Sequence, residues 1–221
     1  MNHVRWVPDD YDSDPGRWRA HDTSWLGGVD PFAVVTQRIV GLDARPVLDV
    51  GGGTGALGRS LPQDWPVVLL DASLVQLRDT SGPRVCANAL ALPVPSASMG
   101  AVAMLWMLYH LEDPLAAVDE AHRALRDGGL FAAATASRRS DPELTDGYPP
   151  TTFDAEDAPD IVAAVFDDVE VVRWDAPLVT LPDREAVLAF CRSHFLSPEA
   201  ADRVMPPVRL TKRGSLVFAR K

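Results

Sequence analysis

Asp49, Gly51, Gly53 and Gly55 alternate along the stretch Asp49-Val-Gly-Gly-Gly-Thr-Gly55. Glycines lack a Cβ, so the backbone there can take special φ/ψ values and a ligand can approach it closely. A short apolar run precedes them, and helix-like spacing follows from Ala56 to Leu61, so the stretch reads as strand, tight turn and helix. The helix N-terminus behind such a turn offers unpaired N–H groups and a partial positive charge. The turn is therefore built to receive something polar or anionic. Gly53-Thr-Gly-Ala-Leu-Gly58 matches G-x-G-x-x-G, and Asp71 follows 18 residues after Gly53, close to the dinucleotide-binding spacing. Asp49 points to a different ligand. A carboxylate two residues before the first glycine would repel a pyrophosphate and attract an ammonium or sulfonium group.

Four further stretches carry polar residues at the ends of apolar runs. They are Val67-Val-Leu-Leu-Asp71-Ala72-Ser73, Ala87-Asn88-Ala89-Leu90-Ala-Leu-Pro93, Met104-Leu105-Trp106-Met-Leu-Tyr-His110-Leu-Glu-Asp-Pro114, and Glu120-Ala-His-Arg123-Ala-Leu-Arg-Asp-Gly-Gly129. With the glycine turn, and in this order, they resemble the motifs of class I S-adenosylmethionine-dependent methyltransferases. The likeness is to the small-molecule, ubiquinone-biosynthesis-like branch and covers about residues 45 to 135. It implies a Rossmann-like α/β fold, a doubly wound, mostly parallel seven-stranded sheet with an antiparallel last strand. It implies S-adenosylmethionine as cofactor and a small molecule as methyl acceptor.

The resemblance also implies roles. The glycine turn, Gly51, Gly52, Gly53 and Gly55, would approach the methionine part of the cofactor, and Asp49 would attract its ammonium. Asp71 would accept both ribose hydroxyls, and Ala72 would flank the adenine. Asn88 stands where the family usually has Asp; its amide oxygen can still accept from the adenine amine, with Ala89 and Leu90 alongside. Leu105 and Trp106 would face the methionine end, Tyr11 would reach the ligand from an N-terminal lid, and His110 is the candidate general base. Each has a structural alternative. Asp49 would stabilise the turn, Asn88 would form a turn, and Asp71 would cap the next helix with Ser73 as its rival. His110 would be a structural residue on a helix turn, as it often is in the family. Gly100 departs from the family, which commonly has Asp before the fourth strand.

The elements that must position these residues alternate between strand and helix, as in a parallel doubly wound sheet. Asp30 and Pro31 start a helix over 32–40 that Gly41 ends. Strands are expected at 46–50, 67–70, 84–87, 100–105 and 130–134, with helices at 56–61, from Ser73 to about 80, and from Asp113-Pro114 to the Gly128-Gly129 break. In open α/β sheets ligands bind beyond the carboxyl ends of the strands, where Asp49, Asp71, Asn88 and Leu105 all fall. A helix near 158–166, a strand at 169–174 that resumes at 178–180 with a bulge after Pro177, a helix at 182–195 and a strand at 213–220 complete the chain. Between Asp141 and Asp160 stand seven acids and no basic residue. That segment reads as a solvated loop, or as an acidic substrate mouth that would favour neutral or cationic acceptors.

The organisation expected is one domain over 1–221, with an N-terminal arm and helix at 1–45, a cofactor-binding core at 46–135, and a substrate-side loop with C-terminal strands at 136–221. The arm carries Trp6, Trp18 and Trp25, which are expected to pack on the domain. Net charge is −10, and the basic residues are scattered arginines apart from Lys212 and Lys221, which argues against a nucleic-acid substrate. No stretch has 18 uninterrupted apolar residues and the start lacks a signal pattern, so a cytoplasmic protein is expected. Cys86 and Cys191 suit neither a disulfide framework nor a metal site, and no metal is expected. Two other classes compete. One is a protein that binds S-adenosylmethionine without transferring a methyl group. The other is a nicotinamide-dependent reductase, disfavoured because no Tyr is followed four residues later by Lys.

Overall fold

A computed structural model describes residues 30–221; Tyr11 and the tryptophans of the arm lie outside the described residues. Helix α1 spans Pro31–Gly41. Asp30 caps it by accepting from the Phe32 amide at 2.9 Å, and Pro31 occupies the first turn. Gly41 is the last helical residue instead of the residue beyond it. Leu42 forms the cap in the right-handed region, so no glycine is needed there.

Seven strands follow: β1 Val47–Val50, β2 Val67–Asp71, β3 Arg84–Cys86, β4 Met99–Leu105, β5 Leu125–Ala136, β6 Asp168–Leu181 and β7 Val208–Arg220. Their order in one sheet is β3-β2-β1-β4-β5-β7-β6, parallel except where β7 runs antiparallel to both neighbours. Between them lie helices α2 Ala56–Ser60, α3 Leu74–Leu77, α4 Pro114–Ala124, α5 Ala158–Ala163 and α6 Arg184–Ser193. Every residue of β1 and of β4 is buried, as expected for strands covered on both faces. One core packs α4 and α5 against the sheet through Val118, Val162 and Phe131. The core on the other face packs α1 through Val35 and Ile39.

Gly100 has a steric reason. A Cβ there would lie 2.5 Å from the Arg45 nitrogen and closer still to the Arg45 carbonyl oxygen. The chain entering β1 crosses this point, with the Gly100 amide donating to the Pro46 carbonyl at 2.8 Å, so no side chain has room there.

Strand β5 ends where Ala136 pairs with Gly214, but β6 and β7 continue together to the pair Leu181 and Val208. This two-stranded arm rises past the carboxyl edge of the sheet. The expected bulge is present as a register shift between Pro177 and Val179. The last strand begins five residues earlier than expected, because Val208 and Leu210 alternate with polar neighbours, a half-buried pattern. Helix α6, capped by Asp183, packs on the arm with Val187 and Cys191 against Leu181, Leu210 and Leu144.

Residues 138–160 do not form a solvated loop. Leu144 and Phe153 are fully buried, and six of the seven acids have partners. Asp141 binds Lys212 and Tyr148, Glu143 accepts from Thr211, Asp146 pairs with Arg203, and Arg138 binds Asp154, Glu156 and Asp157.

Candidate functional site

The carboxyl ends of β1, β2 and β4 meet around the glycine turn. Asp49 is only 2% exposed, and its Oδ2 has no hydrogen-bond partner. Burial, then the neighbouring charge of Asp71, pushes its carboxyl up to about 7, with Arg59 opposing. Gly51 lies at φ +65°, and a Cβ on it would meet the Met107 Cβ at 2.7 Å. A Cβ on Gly52 would lie 2.5 Å from the Asp49 Cγ. Gly53, at φ +53°, has nothing within 4 Å of a Cβ position. The first two glycines are thus needed for the fit of the protein to itself, while the third presents bare backbone to open space. A buried carboxylate oxygen without a partner, behind such a turn, suits a ligand that brings a cation.

Asp71 ties the turn to β2. Its Oδ2 accepts from the Gly53 amide at 2.9 Å and its Oδ1 from the Ser73 amide at 2.8 Å. Ser73, not Asp71, caps α3, its hydroxyl accepting from the Gln76 amide at 3.2 Å. Beyond β3, the exposed Asn88 accepts from the Leu90 amide at 2.9 Å, so its side chain forms a turn. Ala89 is packed in the core and Leu90 is exposed. Glu120 and Arg123 of α4 hold the following loop: Glu120 accepts from the Leu92 amide, and Arg123 donates to the Leu92 and Val94 carbonyls. The Arg123 hydrogen bond holds the Glu120 carboxyl below its usual range.

Beside the turn opens a cavity of about 950 Å³. Ala56 and Arg59 of α2 line one end, and Trp106, Tyr109 and His110 the end of β4. Its far wall comes from the β6–β7 arm, α6 and residues 137–154. Trp106 sits at φ +60°, and its ring meets Trp174 edge-on at 5.9 Å. Trp174 lies against Gly214, where a Cβ would also be 2.6 Å from the Thr135 carbonyl oxygen. His110 ends the 3-10 turn Leu108–His110, its ring 4.4 Å from Tyr109, whose phenol burial pushes up. The charged lining is Arg59, Arg138, Lys212 and Arg213 against Asp30, Asp141 and Asp154, so the expected acidic mouth is absent from the described lining.

The sequence family described as a methyltransferase domain matches residues 48–133, which hold the glycine turn, Asp71, Asn88 and His110. A ubiquinone/menaquinone biosynthesis C-methyltransferase, UbiE, of Hahella chejuensis is 32% identical over 157 residues. Over these stretches the chain is thus similar to a methyltransferase domain and to a C-methyltransferase. The stretch shared with the Hahella enzyme is 64% of this chain and 62% of that protein, so the chain spans less than two thirds of this relative. Among solved structures, the [4+2]-cyclase SpnF superposes with TM-score 0.64 at 16% identity, covering 99% of this chain and 96% of its own. A Thermotoga maritima S-adenosylmethionine-dependent methyltransferase superposes with TM-score 0.57 at 17% identity, covering 100% of both chains. At these identities the likeness establishes the fold.

Within this fold, Asp49, the glycine turn and Asp71 lie together at the carboxyl ends of β1 and β2, and Leu105 ends the adjoining β4, with Trp106 next in the chain. Asn88 follows β3, tethered through the Ala87 amide to the Asp71 carbonyl at 3.1 Å. Sequence reasoning missed Met107, which seats Gly51, and Arg59, whose charge reaches Asp49. Of the far wall it named only the 138–160 segment, as one side of a substrate mouth, and it missed α6 and the β6–β7 arm. The one signal for the arm was Gly214, an isolated glycine in a strand pattern, which marks a close approach. Among the described residues no cluster of His, Cys, Asp and Glu has the makings of a metal site, and no helix is long and apolar enough to cross a membrane.

Proposed function

We propose that this chain transfers a methyl group from S-adenosylmethionine to a small-molecule acceptor held in the 950 Å³ cavity. The observation that carries the reading is the unpartnered Asp49 Oδ2, buried behind Gly52 in the glycine turn that leads into α2, whose Ala56 and Arg59 line that cavity. Asp49 would receive the cofactor's ammonium, Gly53 and Gly55 would lie along its methionine part, and Asp71 would take the ribose hydroxyls. Ala72, Asn88, Ala89 and Leu90 would flank the adenine, with Leu105 and Trp106 at the methionine end. Tyr11 would close the site from the arm. The bound sulfonium supplies an activated methyl group for in-line displacement. The chain's own task is then to align the acceptor and exclude water. His110, on the cavity wall, would remove a proton where the acceptor is protonated at neutral pH. The place of the Hahella relative in ubiquinone/menaquinone biosynthesis supports a small-molecule acceptor.

Calorimetric titration with S-adenosylmethionine, S-adenosylhomocysteine and NADH tests the cofactor. Binding of NADH in place of the sulfonium would overturn the reading. Incubation with methyl-labelled S-adenosylmethionine and phenol, hydroquinone and amine acceptors, followed for S-adenosylhomocysteine, tests the transfer. Cofactor binding without labelled product from any of these acceptors would favour a protein that binds S-adenosylmethionine without methylating, a possibility kept open by the fold shared with a [4+2]-cyclase.

A further inference from the structure

The far wall of the cavity holds a polar group that no motif announced. Asp141 is fully buried, and Lys212 donates to both of its carboxylate oxygens at 2.8 Å. The Tyr148 hydroxyl donates to Asp141 Oδ2, also at 2.8 Å. All three residues line the cavity. Asp141 sits at φ +56°, a conformation costly for a non-glycine residue, and is held there by the hydrogen bond its amide donates to the Thr211 carbonyl at 2.8 Å. Strain fixed by surrounding structure, together with a buried ion pair, is an expensive way to build a wall that apolar residues could fill.

We propose that Lys212, Asp141 and Tyr148 form the recognition point for the acceptor and select an uncharged aromatic molecule bearing a carbonyl or hydroxyl oxygen. This rests on the methyl-transfer reading of the same cavity. The aromatic part follows from Phe32, Trp106, Tyr109, Trp174 and Phe190 in the lining. The uncharged part follows from electrostatics. Lys212 and Asp141 cancel, and burial keeps Tyr148 protonated. An entering carboxylate would meet Asp141 and an entering ammonium would meet Lys212, each after losing its water. A neutral oxygen meets neither objection. Of the three N–H donors of Lys212, the two carboxylate oxygens engage two; the third is left for an incoming oxygen, with the Phe190 ring 4.9 Å away. The other cations on this side are committed, Arg138 to Asp154, Glu156 and Asp157 and Arg213 to Asp175. Arg59 lies at the crevice end, where its charge acts on Asp49.

Equilibrium dialysis of the full chain at pH 7.5 against naphthalene, 1-naphthol, 1-naphthoate and 1-naphthylmethylamine tests the selection. 1-Naphthol is expected to bind about tenfold tighter than naphthalene and than either ion, the gain of one hydrogen bond to a charged donor. Lys212→Met alone would strand a buried carboxylate and endanger the fold, so the decisive variant is the double substitution Asp141→Asn with Lys212→Met. It is expected to bring naphthol and naphthalene within about twofold of each other. Tyr148→Phe, which keeps the ion pair, is expected to reduce the preference less. The proposal is overturned by tightest binding of either ion, by a naphthol preference that survives the double variant, or by binding of none of the four. S-Adenosylhomocysteine binding by the unmodified chain, measured in parallel, reports on the crevice alone; its absence would sink the methyl-transfer reading instead.

Discussion

The Gly53 amide donates to Asp71 Oδ2 at 2.9 Å, so the acid proposed to hold the cofactor ribose also braces the glycine turn. Its second oxygen is engaged by the Ser73 amide. A carboxylate can accept several hydrogen bonds at once, which is what a dual role as brace and ribose acceptor asks of it. Asp71→Ala should therefore act twice. S-Adenosylhomocysteine affinity should fall by about 1.5–3 kcal/mol per charged hydrogen bond lost, and the melting temperature should fall as the two amides lose their acceptor. Calorimetry and thermal melts on the same preparation separate the effects. Unchanged affinity with a lowered melting temperature would leave Asp71 a purely structural brace.

Asp49 sets a pH dependence. Its carboxyl is pushed up to about 7 in the folded chain, against about 3.9 unfolded. Between those values the folded chain keeps a proton that the unfolded chain has lost. Stability should therefore be greatest below about pH 4, fall as pH rises towards 7, and level off above it, by at most about 4 kcal/mol. Asp49→Asn should remove this component. A cationic ligand needs the ionised carboxylate, so S-adenosylmethionine affinity should weaken about tenfold from pH 8 to pH 6. Flat affinity in the unmodified chain, or the same slope in Asp49→Asn, would show that Asp49 does not meet the cation.

Gly53 and Gly100 should respond oppositely to substitution. A side chain at Gly53 meets open space, at the cost of a left-handed φ of about 1–2 kcal/mol. Gly53→Val should leave a folded chain that no longer binds S-adenosylhomocysteine. Gly100→Ala places a carbon on the Arg45 backbone, which cannot move aside as a side-chain tip can. It should destabilise the chain by about 1–3 kcal/mol, with cofactor affinity kept in whatever fraction stays folded. Denaturant melts paired with ligand titration distinguish the two, and normal cofactor binding by Gly53→Val would mean the turn is not the ligand's seat.

The crevice was legible because its signals are local. Val47–Val50, apolar but for Asp49, and the apolar Met99–Leu105 are runs too short for helices, and the glycines between strand and helix leave few conformations. The bulge after Pro177 was legible because proline cannot donate to a ladder. The cavity was not. Its wall is assembled from α2, the segment after β4, β5, α6, the β6–β7 arm and residues 137–154, each supplying a few side chains with no fixed spacing. The acids of 138–160 looked solvated because their partners, Arg203, Thr211 and Lys212, lie some 60 to 70 positions further on. Pairing at that distance leaves no trace in composition.

Arg123 provides the last prediction, because it explains a motif that otherwise looks decorative. The Glu120 and Arg123 pair faces the loop after Asn88, with Arg123 donating to the Leu92 and Val94 carbonyls at 2.9 Å each and Glu120 accepting from the Leu92 amide at 2.7 Å. Arg123→Met would remove both carbonyl bonds and leave Glu120 without its counter-charge. Because the pair is partly exposed, the cost should be about 2 kcal/mol, below the sum of the separate bonds. The loop carries Asn88 to Leu90, so S-adenosylhomocysteine affinity should fall several-fold as well. Arg126→Met, an exposed arginine at the start of β5, should stay within about 0.5 kcal/mol of the parent. If Arg123→Met were as stable as Arg126→Met, the clamp would not anchor the loop, and the adenine-side assignments would lose their support.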